Sequence, residues 1–431
     1  MLAELDPQDG GTVVAIVAAS AFAVALLAIA LEFGHRTKVA LVGATVLVLV
    51  GALDVDTAIE SVDWATLGLL VGMMIIVGLT EPTGVFSFLA LHVARMSRGR
   101  PFRLIFLLAL MTGVLSAFLD NLTAILLVVP ISLQLSRLLA IPVVPLVLVQ
   151  VMASNIGGTA TLIGDPPNIM IGSHVEELSF LDFIVNLGPV AAVTLLTTTL
   201  LLYFLYRRSL ATTPDAHERV ASLDPRGELK RERLVPILAV LCGTIVGFFL
   251  HAPLHVEPVT VAMAGATVML LVSGHDLEWA LERVEWGTIF FFIGLFIMVG
   301  SLEEQGLITK IADGFAGVTG GSRTAEALVV LWGAAAGSAL VDNIPFTAAM
   351  IPVVDELQMD GFDDATWWAL ALGACFGGNA TMIAAAANVA AVSALARSGT
   401  RISFLRFLVV GLPITFVSLV IATAYLLAFQ L

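Results

Sequence analysis

The chain reads as a series of apolar runs, broken at a few places by glycine, proline, carboxylate and amide side chains. Runs of roughly 17–25 apolar residues predict membrane helices, and such runs stand at about 12–31, 37–53, 64–80 and 183–206. Glu81-Pro82-Thr83-Gly84 ends one helix, and 85–97 reads as a short amphipathic piece closed by Arg95, Arg98 and Arg100. Residues 103–140 are apolar but interrupted at Asp120-Asn121, with Pro130 beyond. The stretch 143–173 carries the largest interruption, Ser154-Asn155-Ile156-Gly157-Gly158-Thr159-Ala160-Thr161-Leu162-Ile163-Gly164-Asp165-Pro166-Pro167-Asn168. Gly and Pro weaken or break helices. Backbone freed at membrane depth survives only where protein buries it or a wet cavity adjoins it. The pattern therefore predicts a broken transmembrane helix whose loop forms a binding site.

Residues 207–233 are dense in charge (Arg207, Arg208, Glu218, Arg219, Arg226, Lys230, Arg231, Arg233) and read as the one solvated linker. After it the pattern begins again. Gly43-Ala44-Thr45-Val46 returns as Gly265-Ala266-Thr267-Val268, Val62-Asp63-Trp64 as Val284-Glu285-Trp286, and Asp120-Asn121 as Asp342-Asn343. These pairs share one offset, 222 residues (342 less 120). Gly157-Gly158-Thr159-Ala160-Thr161 returns as Gly377-Gly378-Asn379-Ala380-Thr381, and Asn168 as Asn388, at an offset of 220 (388 less 168). A near-constant offset along the whole chain means duplication.

The basic residues orient the two halves. With the Asp120 and Asp342 segments as re-entrant hairpins (103–140 and about 325–357), each half has five spans, and an odd number inverts the second half. The first repeat is then 1–206, the linker 207–233 is cytoplasmic, and the second repeat is 234–431 with a broken span at about 364–397. Of the 20 Lys and Arg residues only Lys310 and Arg323 fall outside, a strong positive-inside bias. Both termini are expected outside the cytoplasm. The fold class is an all-α polytopic membrane protein of two inverted repeats, each with a broken span and a hairpin. In such repeats the binding site lies near the bilayer midplane between the halves.

Composition agrees: of 431 residues, 59% are hydrophobic and 13% charged, against about 25% charged in soluble domains. The first apolar run follows Glu4, Asp6 and Asp9 rather than a basic region, so it reads as a retained span and not a cleaved signal. Cys242 and Cys375 have no metal-site or disulfide spacing. Nothing resembles a Walker loop, so ATP hydrolysis by the chain itself is excluded; no nucleic-acid signature occurs.

Four interrupted segments are expected to meet at the midplane. The hairpin tips bring Asp120, Asn121 and Thr123 from one side, and Asp342, Asn343 and Thr347 from the other. The broken helices bring Asn155, Gly157, Gly158, Thr159, Thr161, Asp165 and Asn168, and Gly377, Gly378, Asn379, Thr381 and Asn388. Half-helix ends point dipoles at such a site, and freed carbonyls and amides coordinate cations. Single Asn, Ser or Thr residues also serve to hold helices together, and a glycine pair also allows a close helix crossing. The carboxylates demand more, because an acid at membrane depth costs on the order of 2.5–3.5 kcal/mol on insertion scales. Asp165, Asp120 and Asp342 are the proton-coupling candidates. Asp165 has no acidic mate, since Ala385 stands in its place in the second half. Cys375 offers a soft contact beside the second glycine pair, whereas Cys242 reads as packing. Trp64, Trp286 and the pair Trp367-Trp368 read as interfacial anchors. No Lys or Arg lies in a span core, which argues against an anionic substrate.

The run Ser154 to Ile169, with Gly-Asp-Pro-Pro-Asn at 164–168 and the paired Asp-Asn hairpins, resembles the ion transporter superfamily. Within it the resemblance is to the branch of arsenite permeases, NhaD-related sodium/proton antiporters and the P protein, over essentially the whole chain. It implies a scaffold and a mobile transport domain, commonly in homodimers working by an elevator motion. It also leaves room for a cytoplasmic ATPase partner. Its binding elements fall here on Asp120, Asn121, Thr123, the 155–168 loop, Asp342, Asn343 and the 377–381 loop. The second half departs from the motif with Ala384 to Ala387.

The expected function is secondary transport of a small inorganic solute across the plasma (inner) membrane, with no enzyme activity, cofactor or bound metal. Proton-coupled export of arsenite or antimonite leads, since these neutral trihydroxides suit amide and carboxylate hydrogen bonding. The coupling ion is read as H⁺, with Na⁺ in the alternative, a sodium/proton antiporter. A sodium-coupled symporter of dicarboxylate-type anions is the third reading.

Overall fold

The computed structural model describes residues 7–31, 33–212, 215–230, 232–358 and 363–431; Glu4, Asp6 and Arg231 lie outside the described residues. Among these residues the regular structure is entirely helical. The first half runs α1 (Pro7–Ala30), α2 (Arg36–Leu49), α3 (Val55–Glu60), α4 (Trp64–Thr80), α5 (Val85–Ser97), α6 (Pro101–Phe118), α7 (Asn121–Leu139), α8 (Val143–Gly158), α9 (Pro166–His174) and α10 (Phe180–Tyr206). The connector holds α11 (Ala216–Ala221). The second half runs α12 (Leu234–Leu254), α13 (Pro258–Ser273), α14 (Leu277–Leu281), α15 (Trp286–Glu304), α16 (Leu307–Thr319), α17 (Arg323–Leu340), α18 (Asn343–Leu357), α19 (Asp364–Gly377), α20 (Ala386–Arg397) and α21 (Phe404–Phe429). Eight helices among the described residues are long and apolar enough to cross a membrane.

Helix for helix, the second half repeats the first. The packing repeats too: α2 lies on α15 as α13 lies on α4, α6 on α8 as α17 on α19, and α7 on α20 as α18 on α9. This is the pairing a two-fold relation between halves produces. The opposite orientation of the halves rests on the positive-inside argument.

The breaks follow from the sequence. α6 and α7 form a helical hairpin that turns at Leu119-Asp120, where the Asp120 side chain accepts the Thr123 N–H at 3.0 Å. α17 and α18 turn at Val341-Asp342, and Asp342 accepts the Ile344 N–H at 3.2 Å. Each acid is therefore an N-cap, supplying an acceptor to a helix start whose first N–H groups have no carbonyl partner. The long span of the first half breaks between α8 and α9, and Pro166-Pro167 suit the start of α9, where no N–H is required. The α6–α8 and α17–α19 crossings are close. A Cβ on Gly157 would stand 2.3 Å from the Gly113 carbonyl oxygen, and one on Gly377 would stand 2.6 Å from that of Ala335.

Three sequence expectations change. Residues 207–233 are more than a solvated tether: Leu210, Ala216, Val220 and Pro225 are buried. The Lys230 N–H donates to the Thr83 carbonyl at 3.0 Å, and Arg219 Nη1 donates to the Leu138 carbonyl at 3.2 Å. The Glu228 carbonyl oxygen lies 1.9 Å from where a Cβ on Gly84 (φ 74°) would project. The apolar residues spaced along α11 have a surface to cover, and the base of the first hairpin provides it. Trp367 and Trp368 are not interfacial: they are 1% and 0% exposed. Trp367 Nε1 donates to Gln358 Oε1 at 3.1 Å, and Trp368 meets Phe183 edge to face. Cys242 lies exposed on the outside of α12 rather than packed. Trp64 and Trp286 are exposed, as anchors require.

Gly157→Ala should destabilise the protein by about 1–3 kcal/mol through overpacking, lowering its thermal midpoint in detergent. Gly243→Ala, with nothing near its Cβ position, is the control. Equal midpoints for the two variants would contradict the tight crossing.

Candidate functional site

The two hairpin turns and the two broken helices meet around Asp165, which is fully buried. Its Oδ1 accepts Asn121 Nδ2 from the first hairpin at 3.1 Å and Asn343 Nδ2 from the second at 3.1 Å. Asn121 Nδ2 also reaches Asn155 Oδ1 at 3.2 Å. Asn155 Nδ2 then donates to Asn379 Oδ1 and Asn388 Oδ1, each at 3.0 Å. Both halves are thus tied through amides, with one carboxylate at the centre.

Asn168 and Asn388 repair the breaks. Asn168 Nδ2 donates to the Thr159 and Thr161 carbonyls at 2.9 and 2.8 Å. Asn388 Nδ2 donates to those of Gly378 and Thr381 at 2.7 and 2.8 Å. Broken backbone at membrane depth must find such partners inside the protein. Cys375, at the repeat position of Asn155, lies buried with its Sγ 3.7 Å from Asn168 Oδ1.

The remaining sequence-derived residues have local duties. Thr159 donates to the Asn155 carbonyl (2.8 Å), Thr347 to that of Asn343 (2.7 Å), and Thr381 to that of Ala339 (2.8 Å). Thr161 bonds the Ala117 carbonyl, and Thr123 bonds its own cap, Asp120. Gly157 and Gly377 serve the helix crossings. Gly158 folds against Gly164, where a Cβ would lie 2.6 Å from the carbonyl oxygen, and Gly378 sits against the Cys375 carbonyl.

One residue was missed. The absence of Lys and Arg from span cores predicts a site without a basic group, yet Arg36, the first residue of α2, reaches Asp342 Oδ2 with Nη1 at 3.4 Å. Its Nη2 donates to Thr288 Oγ1 at 3.2 Å, and its guanidinium lies 5.3 Å from the centre of the Phe291 ring. The sequence signal was weak: a long side chain at a span end carries its charge away from its own Cα.

Two cavities flank the hairpins. One of about 230 Å³ is lined by Gly78, Glu81, Thr123, Arg283 and Glu285. The other, of about 280 Å³, is lined by Asp63, His174, Gly300, Glu303 and Asp355. Gly78, Glu81 and Glu285 of the first match Gly300, Glu303 and Asp63 of the second by the repeat offset. Glu81 pairs with Arg283 at 3.5 Å in the first, and His174 pairs with Asp355 in the second.

Two buried polar atoms of this cluster, Asp165 Oδ2 and Asn379 Nδ2, make no hydrogen bond of normal geometry, and the Cys375 thiol is the side chain that stands against Asp165. Leaving such groups unmet costs about 1–3 kcal/mol each, so a ligand or ion that meets them gains accordingly.

An all-helical membrane protein whose broken helices and hairpin tips close on one buried carboxylate is built as a transporter. Sequence comparison agrees, and the chain belongs to the citrate transporter family (CitMHS) of the ion transporter superfamily, whose family model matches residues 24–373. It is 41% identical over 421 residues to an uncharacterized transporter of Mycobacterium tuberculosis, covering 95% of this chain and 97% of that protein. It is 38% identical to the 46 kDa membrane protein of Mycobacterium leprae over 95% of this chain and 98% of that one. The human P protein is 33% identical over 92% of this chain, which spans only 58% of that longer protein. Among solved structures, the YdaH transporter of Alcanivorax borkumensis shares the fold, with a TM-score of 0.56 at 15% identity over 87% of this chain and 89% of that one.

Asn155→Leu should lower the thermal midpoint by several degrees, because it strips donors from two buried amide oxygens at about 1–3 kcal/mol each. Thr347→Val, whose hydroxyl bonds back one turn within its own helix, should be close to neutral. Matching midpoints would mean the amide network does not hold the halves together.

Proposed function

We propose that the chain is a proton-coupled secondary transporter that exports a small inorganic solute, with arsenite or antimonite as the leading substrate and Asp165 as the coupling carboxylate. The observation that carries this reading is Asp165 Oδ2, buried and outside the amide bonds by which both hairpin tips hold Oδ1, with only the Cys375 thiol set against the acid. One side of the acid is fixed and the other is free to load. Neutral trihydroxides of As(III) and Sb(III) donate and accept hydrogen bonds as the surrounding amides do. The Cys375 thiol beside Asn168 adds a soft atom suited to arsenic. In this reading the protein works in the plasma membrane as a homodimer, and the hairpins and broken helices move against the rest.

Sodium/proton antiport is the second reading, favoured by the same carboxylate oxygen, since a buried carboxylate also suits Na⁺. Anion symport fits less well. Citrate is in the family's name, but Arg36, the one basic group that reaches the Asp165 cluster among the described residues, is already engaged by Asp342.

The test is flux in proteoliposomes carrying a pH gradient and a pH-sensitive dye, with As(III), Na⁺, Li⁺, K⁺ and citrate added in turn. As(III) should elicit proton movement, and Asp165→Asn should reduce it at least about tenfold, the effect of losing a general proton carrier. Proton flux driven by Na⁺ but indifferent to As(III) would replace the lead reading with the second. Unchanged flux in Asp165→Asn would remove that carboxylate from the mechanism.

A further inference from the structure

We propose that Arg36 is the fixed counter-charge of the second hairpin tip, and that it sets how many positive charges the site loads per turnover. This rests on the reading of Asp165 as the loading carboxylate and adds a residue that the motif does not contain.

Three observations carry it. First, the guanidinium is held independently of Asp342. It lies over Phe291 and donates to Thr288, while the next residue, Thr37, donates through Oγ1 to the Gly287 carbonyl at 2.7 Å. The start of α2 is thereby pinned to the start of α15, and the charge has a fixed position. Second, Asp342 has both oxygens engaged, Oδ2 by Arg36 and Oδ1 by the Ile344 N–H, and its side chain is only 7% exposed. Asp165, by contrast, has no cation against it, and its Oδ2 makes no hydrogen bond of normal geometry. Asp342 directly precedes Asn343, which donates to Asp165, so the paired and the unpaired acid belong to one cluster. Third, the arrangement exists in one half only. The repeat offset puts Pro258 opposite Arg36, and Asp120, the counterpart of Asp342, is met by Thr123 rather than by a cation.

The other charged group beside Arg36 is Glu285, whose Oε2 accepts from Thr288 Oγ1 at 3.1 Å and which lines the flanking cavity. Glu285 stands within electrostatic reach of both Arg36 and Asp120. A guanidinium fixed against a carboxylate competes with any cation for it. With Arg36 in place, Asp342 needs no further positive charge, and Asp165 takes what the cycle loads. Neutralising Arg36 leaves a second buried carboxylate uncompensated, a strongly unfavourable state that the protein relieves by taking up a proton or cation. That charge is taken up on one side and released on the other with each cycle, so the charge moved per solute rises by one.

The experiment measures the equilibrium solute gradient supported by a pH step of about one unit across proteoliposomes, with the membrane potential clamped to zero by K⁺ and valinomycin. Arsenite is the probe, or Na⁺ where the solute panel assigns the flux to Na⁺. One proton per solute sustains about a tenfold gradient and two sustain about a hundredfold. Arg36→Gln should shift the gradient from the lower toward the higher value, and Arg36→Lys should keep the wild-type value. Arg36→Met, which preserves the packing over Phe291, provides a second neutral variant should Arg36→Gln fail to fold. A wild-type gradient in both neutral variants, with Asp165→Asn still inactive, overturns the role of Arg36 alone. Full activity in Asp165→Asn, or no coupled flux with any solute, overturns the underlying reading and this inference with it.

Discussion

Everything at the centre of this molecule depends on one carboxylate oxygen shared between two hairpins. Asp165 Oδ1 accepts from Asn121 and Asn343, which sit at matching positions of the two halves and approach on separate elements. A bilayer interior offers no water to break or replace such bonds, so broken backbone and buried amides must satisfy one another. The chain of amides from Asn121 through Asn155 to Asn379 and Asn388 does this, while Asn168 and Asn388 tie each broken loop to its own helix. Loosening any one link exposes the next to an unmet polar group, which gives the network a stake in remaining whole.

Duplication supplied the symmetry, and the symmetry fails at the centre. The two halves share helices, crossings and hairpin asparagines. They differ at Asp165 against Ala385, Asn155 against Cys375, Thr159 against Asn379 and Arg36 against Pro258. These four of their differences fall at the centre or beside it. The scaffold crossings, where Gly72 faces Ala262 and Gly294 faces Ala40, stay alike. A symmetric frame thus encloses an acid, Asp165, that only the first half supplies. The matching cavities on either side of the hairpins have the same character.

The connector adds an asymmetry of another kind. Gly84 and Gly306 occupy equivalent left-handed corners, but only Gly84 is covered, by the Glu228 carbonyl. The Lys230 bond to Thr83 and the Arg219 bond to Leu138 place the connector against the base of the first hairpin. The second hairpin has no such cover among the described residues.

The sequence alone determined much of this protein. Its apolar runs and the Gly-Pro breaks locate the helices, because helix formation and its interruption are local. The repeat offset identifies matching positions in both halves, so Asp165 is recognisable as the unpaired acid before any coordinate is known. What it could not supply are distances between residues far apart along the chain. Only the tertiary structure decided that Asp120 and Asp342 are helix caps, that the threonines bond backbone carbonyls, and that Trp367 and Trp368 are core residues. Arg36 is the clearest case. It reads as a loop residue at a membrane edge and becomes the partner of Asp342 because α2 packs on α15. Periodicity reports which face of a helix is apolar, whereas the reach of a long side chain depends on what packs beside it.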